Sequence, residues 1–203
     1  MSAMTLRDRL LERSFVYRLW QAPFAERKLA PVRRHNDLSR VRRVLDVACG
    51  PGTNTAWFSD ADYVGVDINE AYIDTARRRT GRTFTVADVT KYRHQDGQGF
   101  DFIFVNSFFH HVPTDDARRI LAHLRTLLTD DGHIHVIDLV LPDRRGPARF
   151  LARWDRGRYA RPVAAWRELF EESFEPVVTE PYVLGLPGIP LWHMFYFTGR
   201  ARR

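Results

Sequence analysis

The sequence has little cysteine and no long apolar run, and each shortage narrows the class of protein. Cys49 is the single cysteine in 203 residues, which excludes an intramolecular disulfide and favours a reducing compartment. No apolar run approaches the ~20 residues of a membrane-spanning helix, and the N-terminal stretch MSAMTLRDRLLERS lacks the apolar centre of a secretion signal. We therefore expect a cytoplasmic protein.

Lysine is also scarce, although the chain is basic. Of 31 basic residues only Lys28 and Lys91 are lysine, and the net charge is +6. A positive charge is typical of proteins that bind nucleic acid, an anionic membrane surface or an acidic small molecule. Because so strong a preference for arginine is as typical of a genome-wide bias, the charge alone selects none of these partners.

The most informative motif is the segment DVACGPG, which begins at Asp46 and follows the apolar pair Val44-Leu45. Gly50 and Gly52 permit backbone conformations that other residues avoid and let a ligand approach the main chain. Dinucleotide-binding loops carry a third glycine where this chain has Thr55, and Asp46 would repel a pyrophosphate. The loop therefore favours S-adenosylmethionine (SAM), which bears an ammonium group and a sulfonium, over a nicotinamide cofactor.

Three further apolar segments are predicted strands that end in polar residues. Segment 63–67 ends in Asp67, segment 83–88 in Asp88, and segment 100–105 is followed by Asn106-Ser107. Open α/β sheets bind their ligands at the edge where the carboxyl ends of the strands meet. These polar side chains therefore predict a ligand site at one edge of a sheet.

The ordered segments VLDVACGPG, YVGVD, FTVADV, FDFIFVNSFFHHVP and GHIHVIDLVLP, from Val44 to about Leu141, resemble the class I SAM-dependent methyltransferases. The resemblance implies an α/β fold, a doubly wound, mostly parallel seven-stranded sheet with a C-terminal antiparallel pair. Length and composition indicate a single domain over 1–203. Within it we expect an N-terminal helical lid at 1–40, a SAM-binding core at 41–141, a substrate-side insertion at 142–175 and closing strands at 176–203.

The resemblance also implies a SAM site. Asp46, Gly50 and Gly52 would contact the methionine portion, Asp67 the ribose, Asp88 and Val89 the adenine, and Asn106 the cofactor near the transfer point. The remaining expected cofactor-binding residues are Ala48, Cys49, Asn54, Ile68 and Ser107. Alternatives stay open for three of these residues: Asp67 could cap the next helix, Asp88 could be a solvated loop acid, and Cys49 could be a nucleophile rather than a small packing residue.

His110 and His111 are the candidate catalytic residues, because they follow strand four, where the methyl acceptor lies in this fold. Histidine, with a pKa near ~6.5, suits a general base that takes a proton from an attacking hydroxyl or amine. Capping a helix or packing on the adenine are the other roles open to them. His133 and His135 do not complete a metal site with this pair. They are predicted at the beginning of strand five, whereas His110 and His111 follow the end of the parallel strand four, so the two pairs are separated by most of a strand length.

Further elements are predicted from periodicity and turn residues. The N-terminal helical pattern is interrupted at Pro23 and Pro31, and Phe15, Tyr17, Trp20 and Phe24 are candidate lid residues or a cover for the sheet. Helices are predicted at 53–59, 69–79, 114–128 and 163–170, with Thr114 as a cap, a turn at 130–132 and strand five at 134–141. The segments 177–179, 182–184 and 194–198 read as strands.

The predicted function is SAM-dependent methyl transfer to O or N of a small molecule, for which an anion is one option. An RNA methyltransferase and a non-catalytic SAM-binding partner protein are the alternatives.

Arg145, Arg149 and Arg153 recur at four-residue spacing beside Phe150, which predicts a helix with one basic face. That helix is a solvated surface element, a lid that recruits an anion, or a contact for acidic lipids. Asp138, further along strand five, either reaches the acceptor pocket or is buried with backbone donors.

Overall fold

A computed structural model describes residues 24–94, 97–144, 146–154 and 157–202. Seven strands of these residues form one sheet. They are β1 (Arg43–Val47), β2 (Asp62–Asp67), β3 (Thr83–Val86), β4 (Phe100–Asn106), β5 (Leu128–Leu139), β6 (Phe174–Leu186) and β7 (Ile189–Ala201). The order across the sheet is β3-β2-β1-β4-β5-β7-β6.

The sheet is parallel from β3 to β5 and antiparallel at its other end. β1 pairs in parallel with β2 and β4, β2 pairs with β3, and β4 pairs with β5. β7 runs antiparallel to both β5 and β6. The predicted fold class, with its closing antiparallel pair, is confirmed. The two short strands expected at 177–179 and 182–184 are parts of one strand, β6, because β7 pairs with β6 along nearly its whole length.

Five α-helices are found in the described residues: α1 (Ala25–His35), α2 (Glu70–Thr80), α3 (Thr114–Arg125), α4 (Pro147–Trp154) and α5 (Val163–Glu171). The helix predicted at 53–59 is a short 3₁₀ segment, Thr55–Phe58, and a second 3₁₀ turn, Phe109–His111, follows β4. None of the helices within the described ranges has the length and apolar character needed to cross a membrane.

Pro31 does not interrupt the helix, contrary to the prediction. It lies inside α1 and is buried together with Leu29 and Val32. A proline in a helix interior costs roughly 3 kcal/mol, so other contacts must hold α1 in place. The Tyr182 hydroxyl donates to the Lys28 carbonyl at 2.6 Å, and Arg34 forms an ion pair with Glu180. Packing against β6 thus overrides the local effect of the proline.

The connection from α3 to β5 also differs from its prediction. Helix α3 ends at Arg125, and residues 130–132 belong to β5 rather than to a turn. Gly132 explains this, because a Cβ there would lie 2.6 Å from the Phe100 carbonyl oxygen, where the β4–β5 register shifts. Thr114 is the first helical residue and does not cap α3; its hydroxyl accepts a hydrogen bond from Arg161 instead.

Both faces of the sheet are covered by apolar side chains, as a doubly wound fold requires. One buried cluster joins Leu45 and Val105 to Trp166 and Phe170, and the other joins Val44 and Phe104 to residues of α1 and α2. The parallel strands β1 to β5 therefore end at a common edge, where open α/β sheets place their ligand crevice.

Candidate functional site

The loop after β1 is fastened to the end of β2. Gly50 and Gly52 have positive φ angles of 54° and 73°, and Ala48, at 54°, adopts the left-handed region without being a glycine. The Gly50 N–H donates to Asp67 Oδ2 at 2.8 Å. A non-glycine residue in the left-handed region, such as Ala48, typically costs about 1–3 kcal/mol, and such residues are concentrated at functional sites.

Asp67 connects this loop to the start of α2. Its second carboxylate oxygen accepts from the Asn69 N–H at 2.8 Å, and Asn69 is the residue that caps α2, through its bond from Tyr72 N. The capping role considered for Asp67 therefore belongs to Asn69. Ile68, beside Asp67, is 75% exposed, which is unusual for a large apolar side chain at a sheet edge.

Asp88 lies next along this edge, in an open groove. It accepts hydrogen bonds from the Thr90 N–H and hydroxyl, which lower the pKa of its carboxyl group. His111, Thr90 and Arg119 line the same groove. The side chain of Val89 is buried in the core, so its backbone is the part that a ligand can meet.

Three polar side chains form a chain of hydrogen bonds from β1 to β4. The Asn54 amide donates to Asp46 Oδ2 at 3.0 Å, and the Asn106 amide donates to Asn54 Oδ1 at 3.2 Å. The Asn54 amide nitrogen faces Asp46, which leaves Asn54 Oδ1 to accept from the Asn106 amide. Asn106 Oδ1 is then a buried acceptor without a hydrogen-bond partner among the described residues. Such an atom is costly unless a ligand supplies a donor.

Asp46 itself is fully buried. Burial raises the pKa of its carboxyl group to about 7, against the opposing effect of hydrogen bonds from Tyr63 and Asn54. Cys49 is buried nearby, and burial likewise raises the pKa of its thiol, which disfavours the nucleophilic thiolate. Both residues are therefore buried side chains on which the loop packs.

A cavity of about 370 Å³ opens beside the hydrogen-bonded side chains of Asn54 and Asn106. Its polar lining residues are Lys28, Thr53, Asn54, Asn106, Ser107 and His110. Its apolar walls come from Phe24, Ala25, Leu29, Pro51, Trp57, Leu139, Leu184, Trp192 and Met194. Among the predicted site residues, the cavity brings together Asn54, Asn106, Ser107 and His110. Asp67, Ile68, Asp88 and Val89 lie outside it, along the β2 and β3 ends.

His110 is held by a buried carboxylate. Asp138 is 0% exposed; its Oδ1 is 2.5 Å from His110 Nδ1, and its Oδ2 accepts from the Phe109 N–H at 2.7 Å. The Leu139 N–H donates to the same carboxylate. Asp138 is therefore both a buried acid with backbone donors and the partner of the cavity histidine. The His111 ring lies 4.0 Å from the His110 ring, but it lines the Asp88 groove and not the cavity.

Arg161 fixes the turn that carries His110. Its guanidinium donates to the carbonyls of Phe109 and Val112, at 3.1 and 2.9 Å, and lies over the Trp166 ring at 4.6 Å. Arg161 is only 8% exposed, and burial lowers the pKa of its guanidinium. Sequence reasoning missed this role, and the only available signal was the position of Arg161 at the end of an arginine-rich segment.

The other candidate residues are placed as follows. His133 and His135 pair with Phe102 and Phe104, whereas Asn106 pairs with Ile137, so the two histidine pairs lie towards opposite ends of the strands. Phe24 lines the cavity. The candidate lid residues Phe15, Tyr17 and Trp20 lie outside the described residues, as does Arg145. In α4, Arg149 donates to the Pro142 carbonyl, and Phe150 is exposed.

Comparison with known proteins gives one family match. Residues 44–132 match the family model described as a methyltransferase domain. This segment runs from Val44, in the strand before the glycine loop, to Gly132 within β5. It therefore contains the loop, the strand-end acids and the histidine pair, but none of the residues that α1 and β6–β7 contribute to the cavity.

Relatives and a solved structure extend the match. A trans-aconitate 2-methyltransferase of Variovorax paradoxus is 33% identical over 113 residues, 53% of this chain and 41% of the relative. One of Rhizobium etli is 30% identical over 160 residues, 75% of this chain and 58% of the relative. The chain thus spans about half the length of these relatives. The N-methyltransferase NodS of Bradyrhizobium japonicum, in complex with S-adenosyl-L-homocysteine (SAH), shares the fold with a TM-score of 0.68 at 15% identity, over 88% of this chain and 87% of that one.

Proposed function

We propose that this chain, which belongs to the class I SAM-dependent methyltransferases, transfers a methyl group from SAM to O or N of a small molecule. The observation that carries the proposal is the buried Asn106 Oδ1, which has no hydrogen-bond partner among the described residues and lies at the wall of the cavity beside the glycine loop. It fits the ammonium group of a bound amino-acid cofactor, which supplies the missing donor.

The cofactor would lie along the edge from β3 to β4. Gly50 and Gly52 offer backbone close to the methionine portion, with Ala48 and Cys49 shaping the loop. Asp67 is placed for the ribose hydroxyls, and Ile68, Asp88 and the Val89 backbone for the adenine. We assign Asp46 a supporting role, since it is enclosed and acts on the cofactor through Asn54 and Asn106.

The charge of the site supports SAM over a nicotinamide cofactor. The neighbouring strand ends present the acids Asp67 and Asp88, which suit a cationic ligand and oppose a pyrophosphate. When bound, SAM supplies a methyl group on a positively charged sulfur, so the leaving group departs neutral. The protein then has two tasks: to align the acceptor with that methyl group and to control the acceptor's proton.

We assign the proton control to His110. Its ring lines the cavity, and Asp138 engages Nδ1, so exchange of a proton with the acceptor would go through Nε2. Asp138 is a positioning residue, because it acts through His110. His111 lies in the Asp88 groove, where the adenine would bind, so its position supports a contact with the cofactor.

The acceptor side of the cavity is built from elements outside the matched segment. Helix α1 supplies Lys28 and Leu29, and the closing strands supply Leu184, Trp192 and Met194. A volume near 370 Å³ lies in the range of about 300–1,000 Å³ typical of small-molecule sites, and its walls are aromatic and aliphatic. These features favour a small metabolite over a nucleic acid. The single buried cysteine supports a reducing, cytoplasmic location.

Methyl transfer is tested with labelled SAM and a panel of small hydroxy, amino and carboxylic acids that includes trans-aconitate. We expect acceptor-dependent formation of SAH. SAM binding with no turnover across the panel would instead favour a non-catalytic partner protein. For His110→Gln at saturating SAM we expect kcat to fall roughly 10²–10⁴-fold, the usual contribution of a general base. An unchanged kcat would eliminate the base role.

A further inference from the structure

The cavity contains one of only two lysines in the chain. Lys28 lies on α1 and lines the cavity, and its Nζ is 2.5 Å from the Ser107 hydroxyl. Its backbone carbonyl accepts the Tyr182 hydroxyl at 2.6 Å, which anchors this turn of α1 to β6. The ammonium group is therefore presented from a fixed element.

Ser107 is held in a strained backbone conformation at the point where it meets Lys28. Its φ angle is 57°, a value that favours glycine, and its N–H donates to the Ile137 carbonyl at 2.8 Å. Non-glycine residues in this region typically cost about 1–3 kcal/mol and persist where the surrounding structure enforces them. The strain directs a hydroxyl group to the cavity beside an ammonium group.

The pair lies where the cofactor residues meet the acceptor side of the cavity. Most residues assigned to the cofactor follow β3, β2 and β1; Asn106, at the end of β4, faces the cofactor's ammonium group, and Ser107 is the next residue. Beyond β4 the cavity is walled by Leu139 of β5, Met194 of β7 and Leu184 of β6. Helix α1 reaches the cavity from this side, since Arg27 and Lys28 both bond to β6.

The composition of the cavity sets the sign of the ligand. Among the described lining residues Lys28 alone carries a formal positive charge, and none is Asp or Glu. The others are apolar or carry neutral amide, hydroxyl or imidazole groups. A half-buried ammonium group next to a hydroxyl donor binds a carboxylate through charge-assisted hydrogen bonds, which are roughly twice as strong as neutral ones.

We infer that Lys28 and Ser107 bind a carboxylate group of the methyl acceptor, so the acceptor is an organic acid. The inference rests on the proposed function. It means that the acceptor is bound through its carboxylate, which is a different group from the one that His110 deprotonates. The carboxylate of the cofactor's own amino-acid end has the same chemistry, and the test separates the two sources.

The test is calorimetry on SAH-saturated protein with two carboxylates, trans-aconitate and benzoate, and their uncharged counterparts, trimethyl trans-aconitate and benzamide. Lys28→Met is compared with Lys91→Met, which removes the only other lysine, outside the cavity. For Lys28→Met we expect at least one carboxylate to bind about tenfold more weakly, with its counterpart and SAH unchanged. Ser107→Ala should weaken the same carboxylate less, and Lys28→Arg should retain part of the affinity.

Three results would overturn the inference. The wild type could bind neither carboxylate more tightly than its uncharged counterpart, or Lys28→Met could bind both as well as the wild type. Lys28→Met could also weaken SAH and leave the carboxylates unchanged, which would assign the ammonium group to the cofactor. SAH binding by the wild type is the separate criterion for the proposed function, so a failure of the carboxylate titrations alone leaves that function intact.

Discussion

The carboxyl group of Asp46 is enclosed between the Tyr63 hydroxyl and the Asn54 amide, and this enclosure determines how it titrates. Its pKa is raised from 3.8 to about 7, chiefly by burial. A carboxyl group that binds its proton more tightly in the folded state stabilises the fold at low pH, and this contribution is lost as pH rises through the folded pKa. For Asp46 the loss falls between about pH 4 and pH 7.

The first prediction concerns this titration. We expect Asp46→Asn to remove part of the pH dependence of unfolding, because an amide does not ionise. The stability of the wild type relative to the variant should fall by up to about 1.4 kcal/mol per pH unit between pH 4 and 7. Urea denaturation at several pH values measures it. Parallel stability curves for the two proteins would show that Asp46 does not titrate in this range.

The residues that the sequence could predict are those that follow directly on an apolar strand. Asp46, Asp67, Asp88 and Asn106 are of this kind, and the motif order locates them without a structure. Lys28 and Arg161 were not predictable as parts of the site. They meet Ser107 and Phe109 across separations of 79 and 52 residues, and nothing local marks them.

At the scale of elements, the turn Phe109–His111 shows how buried charge can fix a short segment. The turn has only three residues, and its orientation depends on Asp138 from β5 and on Arg161 from the segment before α5. Because these partners come from different elements, the histidine is positioned by the packed fold and not by the turn itself.

The second prediction concerns Arg161. Arg161→Met would remove its donors to Phe109, Val112 and Thr114 and leave buried carbonyls unpaired. We expect the free energy of unfolding to fall by about 3 kcal/mol. The matched control is Arg167→Met, which breaks only a partly exposed pair with Glu171 and should change stability by less than about 1 kcal/mol. Equal losses in the two variants, measured by urea denaturation, would contradict the role of Arg161.

The third prediction concerns Gly157. A Cβ at this position would lie 2.0 Å from His110 Cδ2 and 2.6 Å from the His110 carbonyl oxygen. We expect Gly157→Ala to displace His110 and to lower kcat by at least about tenfold, while SAH affinity is preserved. Gly146→Ala is the control, because nothing lies within 4 Å of its Cβ. Activity retained in Gly157→Ala would show that the position of His110 does not limit the reaction.

Two predictions about secondary structure were wrong, and each error has a physical reason. Pro31 predicted a helix end, but tertiary contacts with β6 carry α1 through it. Residues 130–132 predicted a turn, but Gly132 permits a close approach to β4 that extends β5. In both cases a long-range contact outweighs the local preference.

At the scale of the whole molecule, the order of the strands divides the edge of the sheet into two halves. The residues proposed to bind the cofactor lie mainly over β3, β2 and β1. The cavity extends from the loop after β1 across β4, and its acceptor walls come from β5, β7 and β6. The ordered motifs predicted the fold class, which is confirmed, and the cofactor residues of the first half, which stay a prediction. The sequence did not predict the walls of the second half, which depend on how α1 packs on the closing strands.

The fourth prediction concerns the net charge of +6. Several arginines at the surface are paired with acids, among them Arg118 with Glu172 and Arg119 with Asp116. We therefore expect only weak, salt-sensitive RNA binding, which fluorescence anisotropy with labelled RNA would find lost near physiological salt. Tight binding that persists at high salt would support the nucleic-acid alternative.

The most direct test of the account is a calorimetric titration of the protein with SAH and, separately, with NADH. We expect SAH to bind at a single site, because it carries the same ammonium group, ribose and adenine as SAM. We expect NADH to give no heat, because the acids along the β2–β3 edge repel a pyrophosphate. Tight uptake of NADH with no heat from SAH would contradict the account.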